Sequence, residues 1–141
     1  MKLIKRITGT VSLLGLAAGA FLAGAPAAQA GSTCPYERLC LYFNSNYEGA
    51  RADTQYSDGW LGDELFNNGP AGANGWNVQV NNNAASIINN TSETVWVYDD
   101  SHCGGNPLSI GPGGRWNLEA LGLKNKVSSF FIDNRGNCAN R

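Results

Sequence analysis

His102 is the only imidazole in this 141-residue chain, and Asp99 and Asp100 precede it by three and two residues, so acid and base chemistry would have to sit there. No nucleophile is arranged around it: there is no G-x-S-x-G elbow and no H-E-x-x-H zinc motif. The run continues into Cys103-Gly104-Gly105, a turn composition that makes His102 a surface residue, and no enzymatic activity is expected. The other reactive groups are Cys34, Cys40, Cys103 and Cys138. With no C-x-x-C pair and no knuckle partner for His102, zinc is a poor reading, and an even count in an exported chain points to two disulfides. Three pairings are open. Cys34 with Cys40 is preferred because only Pro35-Tyr36-Glu37-Arg38-Leu39 separates them; Cys103 with Cys138 would then close a loop worth roughly 3 to 4 kcal/mol in the chain-entropy model.

Export is itself read from the first thirty residues. Lys2, Lys5 and Arg6 precede the apolar and small-residue run Val11 to Phe21, and Ala28-Gln29-Ala30 offers the small-x-small pattern of a signal-peptide cleavage site. The run is interrupted by Gly15 and Gly19 and no other is long enough to span a bilayer, so a secreted, extracellular chain is expected, with no membrane partner. The mature domain is placed at 31–141. Without the leader's three basic residues the formal charge moves from −1 to about −4, and no Lys/Arg cluster remains to hold a phosphate backbone, which argues against nucleic acid. A chain of this length supports one modest core, and a monomer is expected.

The elements that position these residues are strands. Cys40–Phe43, Val78–Val80, Ser86–Ile88, Val95–Tyr98, Leu108–Ile110 and Val127–Ile132 are short runs rich in β-branched and aromatic residues, separated by Gly, Asn, Asp and Pro. Only Trp60–Phe66 and Leu118–Leu121 are candidates for single helical turns. The fold class is all-β, most simply a two-sheet antiparallel sandwich. The Asn- and Gly-rich stretch Asn67–Asn83 is read as an ordered connection between strands, with Trp76 as its apolar anchor.

One pattern repeats. Tyr42 is followed seven residues on by Gly49, and Tyr98 by Gly105; each Tyr ends an apolar run, Leu39-Cys40-Leu41-Tyr42 or Val95-Trp96-Val97-Tyr98. In a chain this rich in aromatics and glycine the spacing alone would arise roughly twice by chance. Downstream, however, Asn81-Asn82-Asn83-Ala84-Ala85-Ser86 and Lys124-Asn125-Lys126-Val127-Ser128-Ser129 form a second repeat, x-Asn-x-x-(Ala/Ser)-Ser. The combination resembles the two Greek-key motifs of a βγ-crystallin domain over almost all of residues 34–134. With the leader and the opening Cys-Pro-x(4)-Cys-Leu-Tyr, the chain is similar to the secreted bacterial peptidase-inhibitor family of the Streptomyces metalloproteinase inhibitor.

The resemblance implies a disulfide-stabilised sandwich in which Tyr42, Gly49, Ser86, Tyr98, Gly105 and Ser129 build the folded hairpins: the glycines let the Tyr rings approach the backbone, and the serines hydrogen-bond into the hairpins. It also implies a calcium motif, carried here in degenerate form by Asn82, Asn125 and Ser128. Ala85 stands where a ligating hydroxyl belongs, and Lys124 where an Asn or Asp does, so calcium binding is expected to be weak or absent and no other cofactor is expected. Glu48, Asp99 and Asp100 read as solvated turn residues. The function implied is inhibition of an extracellular protease by a rigid loop presented in extended form. Candidate loops are Cys34–Cys40, Asn67–Gly75 and Gly111–Arg115, and no reactive bond is selected. The alternative is a non-inhibitory extracellular binding or stress protein, with Trp60, Trp76 or Trp116 as glycan contacts. Asn89 and Asn90 open two overlapping glycosylation sequons, which are discounted for a bacterial chain.

Overall fold

The computed structural model describes residues 33–138, so the leader at 1–30 lies outside the described residues. Apolar runs of three or four residues between glycines and asparagines are too short for helices, and they form seven strands. These are β1 (Leu39–Tyr42), β2 (Arg51–Thr54), β3 (Ser86–Asn89), β4 (Val95–Tyr98), β5 (Leu108–Ile110), β6 (Arg115–Asn117) and β7 (Ser129–Ile132). All pairings are antiparallel, in one sheet of order β2-β1-β3-β6 and another of order β5-β4-β7. No helix among the described residues is long and apolar enough to cross a membrane.

The two Greek keys exchange strands. β6 belongs to the second repeat yet pairs with β3 of the first, in the register Ile87 opposite Trp116. In return Ser57-Asp58 of the first repeat runs beside β7. The Asp58 amide donates to the Phe130 carbonyl (3.0 Å), the Phe130 amide donates back to Asp58 (2.9 Å), and Ser57 Oγ accepts from the Ile132 amide (2.9 Å). Neither repeat can complete its sheet alone, which makes the pair one folding unit.

Strand alternation fills the space between the sheets. Leu39, Leu41, Ile87, Val95, Val97, Ile110, Phe130 and Ile132 form the core with Leu61, Phe66, Val80, Leu118 and Val127. Each such side chain contributes about 1.5–3 kcal/mol on burial. The opposite face of β1 and β3 carries a second small cluster, Cys40, Tyr42 and Ile88, covered by Cys34 and Tyr47.

Two expectations are corrected locally. Val78–Val80 is no strand: left-handed Asn77 (φ 61°) and Asn82 (φ 59°) bracket it, and only an isolated bridge of Gln79 to Leu65 forms. Trp60–Phe66 is a series of turns, whereas Leu118–Leu121 is a 3₁₀ turn closed by Gly122 at φ 71°. The Asn67–Asn83 connection is ordered, with Ala73 buried and Trp76 packed on the core. It also covers the outer edge of β2, where the Arg51 and Asn68 backbones exchange bonds of 3.0 and 2.8 Å, removing an exposed strand edge.

Candidate functional site

The repeat is reproduced in the backbone at an offset of 56 residues. Asn46, Tyr47 and Gly49 have φ of 60°, 62° and 78°; His102, Cys103 and Gly105 have 56°, 57° and 80°. A serine holds each hairpin closed. Ser86 Oγ donates to the Asn44 carbonyl (2.6 Å) and accepts from the Tyr47 amide (2.9 Å). Ser129 Oγ donates to the Asp100 carbonyl (2.6 Å) and accepts from the Cys103 amide (2.9 Å).

The glycines work differently from the expectation. A side chain on Gly49 would meet the Asn74 carbonyl oxygen at 2.8 Å and the Asn44 carboxamide at 3.0 Å; the Tyr42 ring is not among its nearest neighbours. At Gly105 the nearest groups are the Asp99 and Asp100 carboxylates. Tyr42 packs instead edge-on against Tyr47, with ring centroids 6.1 Å apart. Burial raises the Tyr42 phenol's pKa above its ordinary value, partly opposed by Arg51. In the second hairpin Tyr98 is half-buried, and Cys103 takes the place of Tyr47, so a disulfide does there what an aromatic pair does in the first.

The disulfides are Cys34–Cys40, with Cα atoms 5.8 Å apart, and Cys103–Cys138, at 5.7 Å. The loop closed by the first is pinned on several sides. Asn90 Nδ2 donates to the carbonyls of Cys34 (3.0 Å) and Pro35 (2.9 Å), the Asn90 amide donates to Arg38, and the Glu37 amide donates to the Asn90 carbonyl. Glu37 pairs with Arg135, whose hydrogen bond holds the carboxyl below its usual pKa. Arg38 meets Asp53 at 3.3 Å, and Asp53 in turn accepts from Arg51 Nε at 3.1 Å. At the tip of this clamped loop Tyr36 is 81% exposed. Glu37 has φ 59°, so the loop is a tight turn and not an extended segment.

The other candidate loops present less. Asn67–Gly75 is fastened to β2, and Gly111–Arg115 is fastened to Asn89, whose carboxamide donates to the Ile110 and Gly111 carbonyls. The carboxamides of both sequon residues, Asn89 and Asn90, are thus engaged within the fold. Of the tryptophans, Trp76 packs on the core, while Trp60 and Trp116 are each 46% exposed. His102 is an exposed turn residue, and no hydrogen bond joins its imidazole to Asp99 or Asp100 among the described residues.

Asn82, from the degenerate calcium motif of the first half, and Asn125 and Ser128, from that of the second, fall in two places. The two downstream repeats cross: the Asn82 amide donates to the Val127 carbonyl (3.0 Å), and the Asn125 amide to the Ala84 carbonyl (2.8 Å). Asn82 therefore meets Ser128, whose Oγ donates to Asn82 Oδ1 at 3.2 Å and to the Lys126 carbonyl at 3.3 Å. Asn125 faces a separate hollow lined by Asn44, Ser45, Asn83, Ala85 and Lys124. A hard cation does not fit this hollow, which offers the Ala85 methyl where a ligating oxygen is required and has a lysine in its wall. The group around Ser128 brings together three neutral oxygens, fewer than the six to eight that calcium takes.

The sheet order and the hairpins define a βγ-crystallin domain. A structure solved for the evolution of the eye lens βγ-crystallin domain fold matches with a TM-score of 0.58 at 16% identity, covering 72% of this chain and 90% of that one. A βγ-crystallin from Ciona intestinalis matches at 0.53 and 21% identity, covering 68% and 99%; one from an archaeon matches at 0.50 and 24%, covering 70% and 99%. Comparison with curated proteins gave no significant match. The model of peptidase inhibitor family I36 matches residues 27–110, more than half of the chain. The chain belongs to that family and is a peptidase inhibitor.

Proposed function

We propose that the protein is secreted and inhibits an extracellular protease through the Cys34–Cys40 loop, with Tyr36 as the side chain that enters the protease. The observation that carries this reading is the contrast between backbone and tip: a disulfide, the Asn90 clasp and the Glu37–Arg135 pair fix the turn, while Tyr36 stands 81% exposed. A loop already ordered loses little freedom on binding, and an exposed tyrosine supplies a large contact area with few rotamers to freeze. The turn at Glu37 makes the tip a wedge for an apolar pocket, in place of an extended strand laid along the cleft. Two disulfides suit an oxidising, extracellular setting. The target class is a thermolysin-like metalloprotease, in line with the family resemblance read from the sequence.

The test titrates the oxidised protein against a thermolysin-like metalloprotease and a subtilisin-like serine protease. Slowing of the metalloprotease, with an inhibition constant raised at least about tenfold by Tyr36→Ala, is expected for a central aromatic anchor. Inhibition that Tyr36→Ala leaves unchanged would remove the loop from the mechanism, and inhibition of the serine protease alone would move the target class.

A further inference from the structure

We propose that the outer face of the four-stranded sheet carries a binding recess for a carboxylate with a compact apolar body, the chemistry shared by a peptide's C-terminal leucine and a short branched carboxylic acid, with Arg115 taking the charge. The recess holds about 230 Å³, and its lining includes Cys34, Tyr42, Tyr47, Ile88 and Arg115. Strand register assembles it. Cys40, Ile88 and Arg115 are direct cross-strand neighbours on β1, β3 and β6, so the guanidinium rises from the same face as the small outer cluster. Tyr42 and Ile88 make a buried apolar floor, and the Tyr47 ring stands edge-on to Tyr42. The rims are pinned. The Asn46 amide donates to Asn117 Oδ1 (2.6 Å) and Asn117 Nδ2 donates to Asn46 Oδ1 (2.9 Å), which fastens the hairpin rim to β6. The N-terminal rim is held by the Cys34–Cys40 disulfide and by the Thr33 carbonyl, which accepts from Arg51 Nη1 at 2.9 Å. A ligand entering this recess has little of the protein left to order.

The charge on this face is left uncompensated at Arg115. Asp53 already pairs with Arg38 (3.3 Å) and Arg51 (3.1 Å), whereas Arg115 is exposed and its guanidinium has no hydrogen bond or ion pair among the described residues. No carboxylate lines the recess among the described residues. Burial raises the Tyr42 phenol's pKa, and the charges of Arg51 and Arg115 oppose that rise, which sets both guanidiniums beside the phenol. A chain of net charge about −4 after the leader therefore keeps one positive, apolar-floored recess, and its complement is an anion that brings apolar surface with it. A planar carboxylate accepts two parallel N–H bonds from a guanidinium. Its apolar body then covers Ile88 and Tyr47, a contribution that a phosphate or sulfate, polar on every side, does not make. A cavity of about 150 Å³ holds benzene, so this larger recess admits a leucine side chain with its carboxylate.

Two-dimensional amide NMR of the oxidised protein, titrated with N-acetylleucine, N-acetylleucinamide and 4-methylpentanoate, tests this. Both acids are expected to shift the amides of Tyr47, Ile88 and Arg115 with dissociation constants on the order of 1 mM, ordinary for ligands of this size. The neutral amide is expected to bind at least about tenfold more weakly, because it lacks the charge that Arg115 takes. Arg115→Ala alters an exposed side chain and leaves the backbone pairing with Ile88 in place, and it should weaken both acids about tenfold. Tighter binding of N-acetylleucine than of 4-methylpentanoate assigns the recess to a peptide C-terminus, and any other order assigns it to a free acid. No shift of those amides up to about 20 mM of either acid, equal binding of acid and amide, or acid binding indifferent to Arg115→Ala would each overturn the proposal. The same spectra show that the variant is folded.

Discussion

Ser86 Oγ lies 2.6 Å from the carbonyl oxygen of Asn44, forty-two positions earlier in the chain, and this contact closes the first hairpin over β3. The same bond recurs between Ser129 and Asp100 at the same length. Each hydroxyl is buried and both donates and accepts, so removing it strands a backbone amide and a carbonyl. Ser86→Ala and Ser129→Ala are each expected to cost about 1–3 kcal/mol. Thermal melts of the two single variants check this, and a loss below about 0.3 kcal/mol in either would show that its hairpin closes by other means.

Gly49 and Gly122 separate two effects of a left-handed backbone. Both have positive φ, 78° and 71°, but a side chain at Gly49 meets the Asn74 carbonyl whereas one at Gly122 meets nothing within 4 Å. Gly122→Ala should cost about 1 kcal/mol, from strain alone. Gly49→Val adds β-branching and a backbone clash and should cost more than about 3 kcal/mol. Chemical denaturation of both variants measures the difference.

Tyr42 fills the outer cluster under its hairpin, and Tyr42→Ala should cost about 3–5 kcal/mol, as for other large core aromatics. Its raised phenol pKa has a pH consequence. The unfolded chain ionises first, so the stabilisation is complete below the ordinary value of 10.0 and falls as pH rises above it. Melting temperatures between pH 8 and 11 should decline less steeply in Tyr42→Phe than in the unaltered protein.

Glu37 gives the opposite sign at acid pH. Its carboxyl is held below the ordinary 4.5 by the Arg135 hydrogen bond, so the stabilisation is present above that value and lost as pH falls through the lowered one. Melting temperatures of the unaltered protein and of Arg135→Gln should therefore converge as pH is lowered from 6 to 3. A constant gap would mean that Arg135 acts through packing.

Breaking the loop's covalent closure should separate inhibition from folding. In Cys34→Ser with Cys40→Ser the two serines fall in the small outer cluster beside Tyr42 and Ile88, while the main core between the sheets is untouched and β1 keeps its partners β2 and β3. Inhibition should weaken at least tenfold while near-ultraviolet circular dichroism is retained. Full inhibition by this variant would place the contact elsewhere.

Much of the framework was legible because the inner strands are short apolar runs bounded by turn residues, and β1 is buried at all four positions. Leu39-Cys40-Leu41-Tyr42 and Val95-Trp96-Val97-Tyr98 announced β1 and β4, and the Tyr/Gly and Asn/Ser repeats announced the paired hairpins. β2 and β6 were missed. Arg51-Ala52-Asp53-Thr54 and Arg115-Trp116-Asn117 are the outermost strands of one sheet, where backbone pairing defines the strand and little apolar surface is required. Asn90 as clasp of the Cys34–Cys40 loop left no signal except a sequon that suggested a different role.

Residue types and spacing determined locally what the chain needs: glycine or asparagine where φ is positive, cysteines six apart to close a loop, a serine to bond each hairpin. Tertiary structure decided which repeat supplies which partner. Strand exchange carries β6 to β3 and sets Ala85 beside Lys124, because two half-sheets that cannot satisfy their own backbone groups must complete each other. That crossing concentrates two separate sequence defects in one hollow and leaves Asn82 with Ser128, a result that no linear spacing contains.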